Sequence, residues 1–416
     1  MDREMKVISA SVFAFSFTTA VINLSSGLRV YSLSKSASLL SLATLVYNVF
    51  YTLASYYYGK ISYHRLSQVD LIFSSFLAIG ASSILMGTLN DPYAVVAMNA
   101  IFGFGAALGS PTLTAVLANH LMKDNIAVTR YNILVSLGTI FGYLTASFLG
   151  LLPLSYILII MGAILLSFAP LAFMLPPKFR AKMRERVTIA PMLSHLVGKM
   201  RSLPSDMAHW EKLLSFGEVG REMRKMLRVR IARSSTLTLL GIVTLFTAIN
   251  VFFTPMPAYL RMAGYSDNEI YAIYMLSNFT TLLLYDFVKE RIGNSEQTWR
   301  VLLFSVSIRP ALFLLPFTLD LLSPKLVFPL LYIFVGATWA GISVSLPVIM
   351  MRHAAPEKKG EALSKMNAMT SLGAIIGSFV ASILSIWGIS YTSAVASVTV
   401  LSALLIFREA SRASID

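Results

Sequence analysis

Twelve apolar runs, most of them about the 20 residues that a helix needs to cross hydrocarbon, leave this chain little choice of fold. They fall at roughly 6–31, 37–58, 67–89, 93–119, 129–151, 154–175, 234–258, 268–286, 299–319, 326–350, 362–386 and 389–407. In lipid every backbone N–H and C=O must find its partner internally, and runs of this length do that as α-helices. The chain is therefore expected to be an all-α polytopic membrane protein. With 56% hydrophobic and 13% charged residues among 416, it has too little charge to cover a soluble surface.

Two stretches nearly repeat. Arg130-Tyr131-Asn132 leads into Ser136-Leu137-Gly138, Gly142, Ala146 and Ser147, and Lys365-Met366-Asn367 leads into Ser371-Leu372-Gly373, Gly377, Ala381 and Ser382. The offset is 365 − 130 = 235 residues throughout. A membrane protein built of two similar halves implies a transporter in which one half rocks against the other around a midplane site. The division expected is a six-helix bundle over 1–175, a basic linker over 176–233 and a second six-helix bundle over 234–416, with a short tail from Arg408.

The net charge of +14 could suggest nucleic acid, but its placement argues for topology instead. Fourteen of the 34 Lys and Arg lie between Lys178 and Arg233, and most others sit at span ends. With the N-terminus inside, 29 fall on the inner side, and only Arg29, Lys35, Arg261 and Lys325 fall outside. That bias predicts both termini cytoplasmic, in the cell membrane, with no nucleic-acid partner. The first run is longer than a signal-peptide core and is read as a retained helix. The linker, with Leu193, Leu196 and Met200 and then Leu213, Leu214 and Phe216, is expected to lay short amphipathic pieces against anionic headgroups. There are no cysteines, so thiolate metal sites and Cys nucleophiles are excluded.

The basic residue, Tyr131-Asn132, Ser136-Leu137-Gly138 and Gly142 opening the fifth span resemble the major facilitator superfamily. So do Gly103-Phe104-Gly105-Ala106 with Pro111 in the fourth span, and Arg352-His353-Ala354-Ala355-Pro356-Glu357 ahead of the eleventh. The resemblance covers the whole chain: six spans, a basic linker, six spans. It implies two pseudo-symmetric bundles working by alternating access, no enzyme activity and no cofactor, a small-molecule substrate, and a monomer.

The family's loop after the second span reads Gly-x-x-x-Asp-Arg-x-Gly. Here Gly59 matches, but Tyr63 and His64 replace the acid and the Arg. The second copy, Glu290-Arg291-Ile292-Gly293, fits better, with Asp286 where the first Gly would be. The resemblance gives Gly59, Asp286, Glu290, Arg291 and Gly293 a conformational-latch role. A charge-assisted bond near a helix end is the physical means. Asn99 stands where the family often has an Arg associated with proton coupling, which weakens the case for coupling by that route; a coupling proton or cation stays an open partner. Gly138, Gly142, Gly373 and Gly377 place small residues on one helix face, which lets helices approach closely in lipid. By resemblance this face is expected where the bundles meet, with tight packing inside one bundle as the other reading.

No carboxylate lies at the middle of any span, and no His, Asp or Glu cluster has metal-ligand spacing. Arg309 is the one charge near mid-bilayer. It must face protein or water. A structural hydrogen-bonding role is the favoured reading, with an anion or counter-ion site as the alternative. The polar and aromatic mid-span residues of cavity-lining spans are Asn23, Tyr47, Asn48, Asn99, Asn250, Asn278 and Trp339. Asn in hydrocarbon is costly unless bonded, so each is either a binding residue or interhelical glue. An amide and aromatic lining suits a neutral or amphipathic organic solute. Efflux is one expected direction, with sugar or metabolite uptake and a transport-dead sensor or scaffold as the alternatives.

Overall fold

The computed structural model describes residues 3–65, 67–121, 124–175, 233–318, 323–352, 354 and 359–415. The amphipathic pieces expected in the linker lie outside these residues, as does His353. The first half contributes α1 (Arg3–Ser34), α2 (Ala37–Arg65), α3 (Gln68–Thr88), α4 (Pro92–Leu121), α5 (Asp124–Leu149) and α6 (Leu154–Phe168). The second contributes α7 (Arg233–Phe253), α8 (Met256–Met262), α9 (Asp267–Arg291), α10 (Ser295–Leu314), α11 (Pro324–Arg352), α12 (Lys359–Leu384) and α13 (Ile389–Ile415). No strand occurs among the described residues.

Local chemistry sets the ends. Capping boxes start three helices: Ser67 with Asp70 at α3, Ser266 with Glu269 at α9, and Asn294 with Gln297 at α10. Proline, which needs no N–H partner, opens α4 and α11. The seventh run breaks into α7 and α8 because Pro255 and Pro257 withdraw two donors in succession. Two boundaries differ from the expected ones. Gly59, placed in a loop, lies inside α2, and the tail from Arg408 continues α13 to Ile415. Among the described residues, eleven helices are long and apolar enough to span a bilayer. The eighth span, α9, falls short because Asn, Ser, Thr and Tyr side chains dilute it, and its neighbours are other helices, α5 and α11.

The two sets of helices pack alike. α1 packs on α5 and α6, α2 on α4, and α3 between α4 and α6. In the second set α7 packs on α12 and α13, α9 on α11, and α10 between α11 and α13. The match extends to single residues. A side chain at Gly138 would meet Phe13 O at 2.7 Å, and one at Gly373 would meet Val243 O at 2.6 Å. Gly142 and Gly377 press likewise on the carbonyls of Phe17 and Thr247, and Gly103 and Gly336 on those of Tyr47 and Ser277. Ser and Thr hydroxyls join helices within each set, as at Ser75 to Gly105 O (2.7 Å), Ser83 to Leu158 O (2.7 Å) and Thr281 to Gly336 O (2.9 Å).

These contacts correct the expected role of the four glycines. α5 and α12 do run along the boundary between the halves, against α9 and α2. Their glycines face the other way, onto α1 and α7 of their own bundle. Ser147 is nine residues, or two and a half helical turns, beyond Gly138, so it occupies the opposite face and takes the contact with the partner half.

Candidate functional site

Both halves meet along two seams, α5 with α9 and α2 with α12. The distal face of the bundle is the one opposite the chain termini. Near it, Ser38 donates to Ser382 O across one seam at 2.6 Å, and Ser147 donates to Asn268 O across the other at 3.2 Å. These are equivalent positions with donor and acceptor exchanged: 268 − 38 = 230 and 382 − 147 = 235, the same offsets that relate the glycine contacts.

A tyrosine group lies just below this level on the α5–α9 seam. Tyr143 of α5 stands 6.3 Å from Tyr271 and 5.9 Å from Tyr274 of α9, centroid to centroid. Tyr274 lies 4.9 Å from Tyr332 of α11. The Tyr271 hydroxyl meets Ser25 of α1 at 2.6 Å. The matching positions by the same offsets are Ser41, Thr44, Asn99 and Ser378, which are small or amide side chains. The α5–α9 seam thus carries rings where the equivalent positions hold short polar side chains. The binding candidates legible in the sequence are mid-span residues, whereas these tyrosines sit nearer the distal ends, where membrane helices ordinarily carry interfacial aromatics.

The seven mid-span candidates separate. Asn48 donates to Ser378 Oγ across the α2–α12 seam at 2.9 Å. Tyr47, next to it, is half-buried between Tyr51 and Phe102, 6.0 and 5.0 Å away. Asn278 and Asn250 are half-buried and turn their amides onto their own helices, donating to Tyr274 O and Phe246 O at 2.9 Å each. Trp339 is half-buried, edge-on to Phe246 at 6.0 Å. Asn99 is 2% exposed; it donates to Val95 O at 2.9 Å and accepts from Ser26 at 3.2 Å, so its amide joins α1 to α4 inside the first bundle. Asn23 is exposed and has no side-chain partner among the described residues. Tyr47, Asn48, Asn250, Asn278 and Trp339 come from four helices, α2, α7, α9 and α11; the Asn99 amide is instead used inside the first bundle.

Arg309 is 1% exposed on α10. Its guanidinium lies 5.5 Å from the Trp339 ring centre and reaches Val335 O at 3.4 Å.

Of the latch residues, Asp286, Glu290 and Arg291 are exposed, and neither acid makes an ion pair among the described residues. Arg291 covers the Phe287 ring at 4.7 Å. The residue that ties this corner is Arg352, which donates to Thr298 Oγ1 and to Gly293 O at 2.9 Å each, linking the end of α11 to the α9–α10 turn. At the distal face Arg261 pairs with Asp267 at 2.6 Å and Lys325 with Glu269 at 3.2 Å. Between α8 and α9, Tyr265 donates to Pro324 O at 2.7 Å. Burial, and then the nearby Glu269 carboxylate, push its hydroxyl up to about 12, so it remains a donor at neutral pH. No group of His, Asp or Glu capable of holding a metal occurs among the described residues.

The family model of the Major Facilitator Superfamily matches residues 7–378. The chain belongs to the Major Facilitator Superfamily. No curated protein matches it in sequence. Among solved structures, this superfamily member resembles a POT family transporter in complex with a thioalcohol-conjugated peptide, with TM-score 0.74, 11% identity, and coverage of 98% of this chain and 96% of that one. A POT family transporter in complex with 5-aminolevulinic acid gives TM-score 0.74 and 10% identity over 99% and 96% of the two chains. A mutant of the nucleoside transporter NupG gives TM-score 0.65 and 15% identity over 97% and 99%. At these identities the likeness is one of fold. The protein is a multi-pass membrane transporter with the fold of this superfamily.

Proposed function

We propose that this transporter moves a small neutral or amphipathic organic solute by alternating access, with 1–175 and 234–416 as the two rocking bodies. The observation that carries the reading is the pair of seams. Their contacts are side-chain hydrogen bonds and ring edges, which can part without exposing unpaired charge. Seams of this kind suit halves that separate and rejoin. Tyr47, Asn48, Asn250, Asn278 and Trp339 offer amides and ring faces, a lining matched to a solute with few charges.

The placement of basic residues supports a cell-membrane protein with both termini cytoplasmic, and the linker would then lie against anionic headgroups. A monomer completes the reading.

Reconstitution of the full chain into liposomes tests it, with labelled solutes of neutral and amphipathic classes and with or without a pH gradient. Saturable counterflow is expected for at least one class. Dependence on the gradient would identify a coupling proton, and net accumulation or depletion would distinguish uptake from efflux. Saturable binding without flux overturns the proposal in favour of a sensor.

A further inference from the structure

Arg309 is charged, buried and nearly without polar company. An arginine keeps its proton in proteins, so the charge is permanent. Its Nε has no hydrogen-bond partner among the described residues, and the Val335 carbonyl at 3.4 Å is at the long limit for such a bond. α10 packs against α11 and α13. Those two helices carry charge only toward their ends: Lys325 and Arg352 on α11, and Arg408, Glu409 and Arg412 on α13. Among the described residues no carboxylate pairs with it. The nearest electron-rich group is the Trp339 ring, whose face attracts the cation without cancelling its charge.

The geometry connects this charge to the interior between the halves. α1 and α4 pack closely in the first bundle, but their counterparts α7 and α11 scarcely touch. Phe246 and Trp339, one from each of these helices, meet edge to face at 6.0 Å, and the Arg309 guanidinium lies over the Trp339 ring, 5.5 Å from its centre. Both rings are half-buried, whereas Arg309 is sealed. A half-buried aromatic surface of the second bundle thus carries a fixed positive charge 5.5 Å from the Trp339 ring centre. In a medium of low dielectric constant such a charge acts over about 10 Å, because little water screens it.

We infer that Arg309 sets the charge class of the cargo. The favoured solute carries an anionic group, a carboxylate, sulfonate or phosphate, on an apolar or aromatic frame that lies against Trp339 and Phe246; organic cations are rejected. This deepens the transport reading and rests on it.

The test uses the natural absence of cysteine. Asn250 lies one turn beyond Phe246 on the same side of α7, and Ser323 is exposed in the distal turn before α11. Asn250→Cys and Ser323→Cys, each in the full chain, are modified with two reagents of similar size, the negative sulfonatoethyl and the positive trimethylammonioethyl methanethiosulfonate. Relative to Ser323→Cys, Asn250→Cys is expected to favour the negative reagent by about tenfold or more. Arg309→Lys should keep that ratio, and Arg309→Gln should abolish it. A ratio at 250 equal to that at 323 overturns the inference before any Arg309 variant is needed. So does a cysteine at 250 that neither reagent reaches, or a bias that persists in Arg309→Gln. Flux with no charge bias sinks this inference alone; bias without flux sinks only the transport reading.

Discussion

The hydroxyls of Ser25 and Tyr271 meet at 2.6 Å across the two halves, and Tyr143 closes over the same tyrosine from α5. With Ser38 to Ser382 and Ser147 to Asn268, this forms a seal on the distal side that holds no charged residue. Such a seal can open at modest cost, since each neutral bond contributes only about 0.5–1.5 kcal/mol net. Removing part of it should favour the distally open form.

Tyr143→Ala should therefore raise the labelling of a cysteine at Ser382 by a membrane-impermeant maleimide. The chain supplies no competing thiol. Tyr271→Phe, which deletes only the bond to Ser25, should give a smaller rise. Labelling that stays at the unmodified level in both variants would show that the tyrosines do not hold this side shut.

Asn48 and Ser378 form a cross-seam bond that can be isolated by a double-mutant cycle. Asn48→Ala and Ser378→Ala should each lower stability in detergent by about 1 kcal/mol or less, and their coupling should be about 0.6 kcal/mol, as for other hydrogen bonds between membrane helices. The informative readout is transport. If Asn48 also contacts the solute, Asn48→Ala raises KM while Ser378→Ala does not. Equal KM effects would reduce Asn48 to glue.

Gly142 and Gly377 lie against the carbonyls of Phe17 and Thr247 within their own bundles. Gly142→Leu or Gly377→Leu should destabilise the protein by about 1–3 kcal/mol through overpacking, seen as a lower thermal midpoint in detergent. Full stability with altered conformational balance would instead place these glycines at the boundary between the halves.

Arg352→Gln removes two charge-assisted contacts, to Thr298 and Gly293, at the end of α11. A loss of about 1.5–3 kcal/mol is expected for bonds of this type, reduced by exposure of the pair to solvent. Glu290→Lys should change stability little, because Glu290 has no ion pair among the described residues. A larger effect at Glu290 than at Arg352 would support the latch role expected of the acid.

Much of the fold was legible as a pattern. The apolar runs gave eleven spans that qualify on length and composition, and the near-repeat at Ser136-Leu137-Gly138 and Ser371-Leu372-Gly373 signalled the internal symmetry. The site was less legible, because one helix carries several faces and a run of letters does not say which face meets which neighbour. Asn99 and Asn48 look alike as amides in apolar spans. One is tied between α1 and α4 inside a bundle, and the other reaches across a seam. The rotation of each helix, settled by how its smallest residues pack, makes the difference.

By itself the sequence determined that the chain spans a bilayer as helices, since unpaired backbone in hydrocarbon leaves no other solution, and that it does so twice over in related halves. Only the tertiary structure decided that the glycines of α5 and α12 bind their own bundles and that Ser147 and Ser382 face the partner. It likewise placed the Arg309 guanidinium over the Trp339 ring. The physical reason is that close approach of two backbones needs the side without side chains. That requirement turns every longer residue of the helix toward whatever lies opposite.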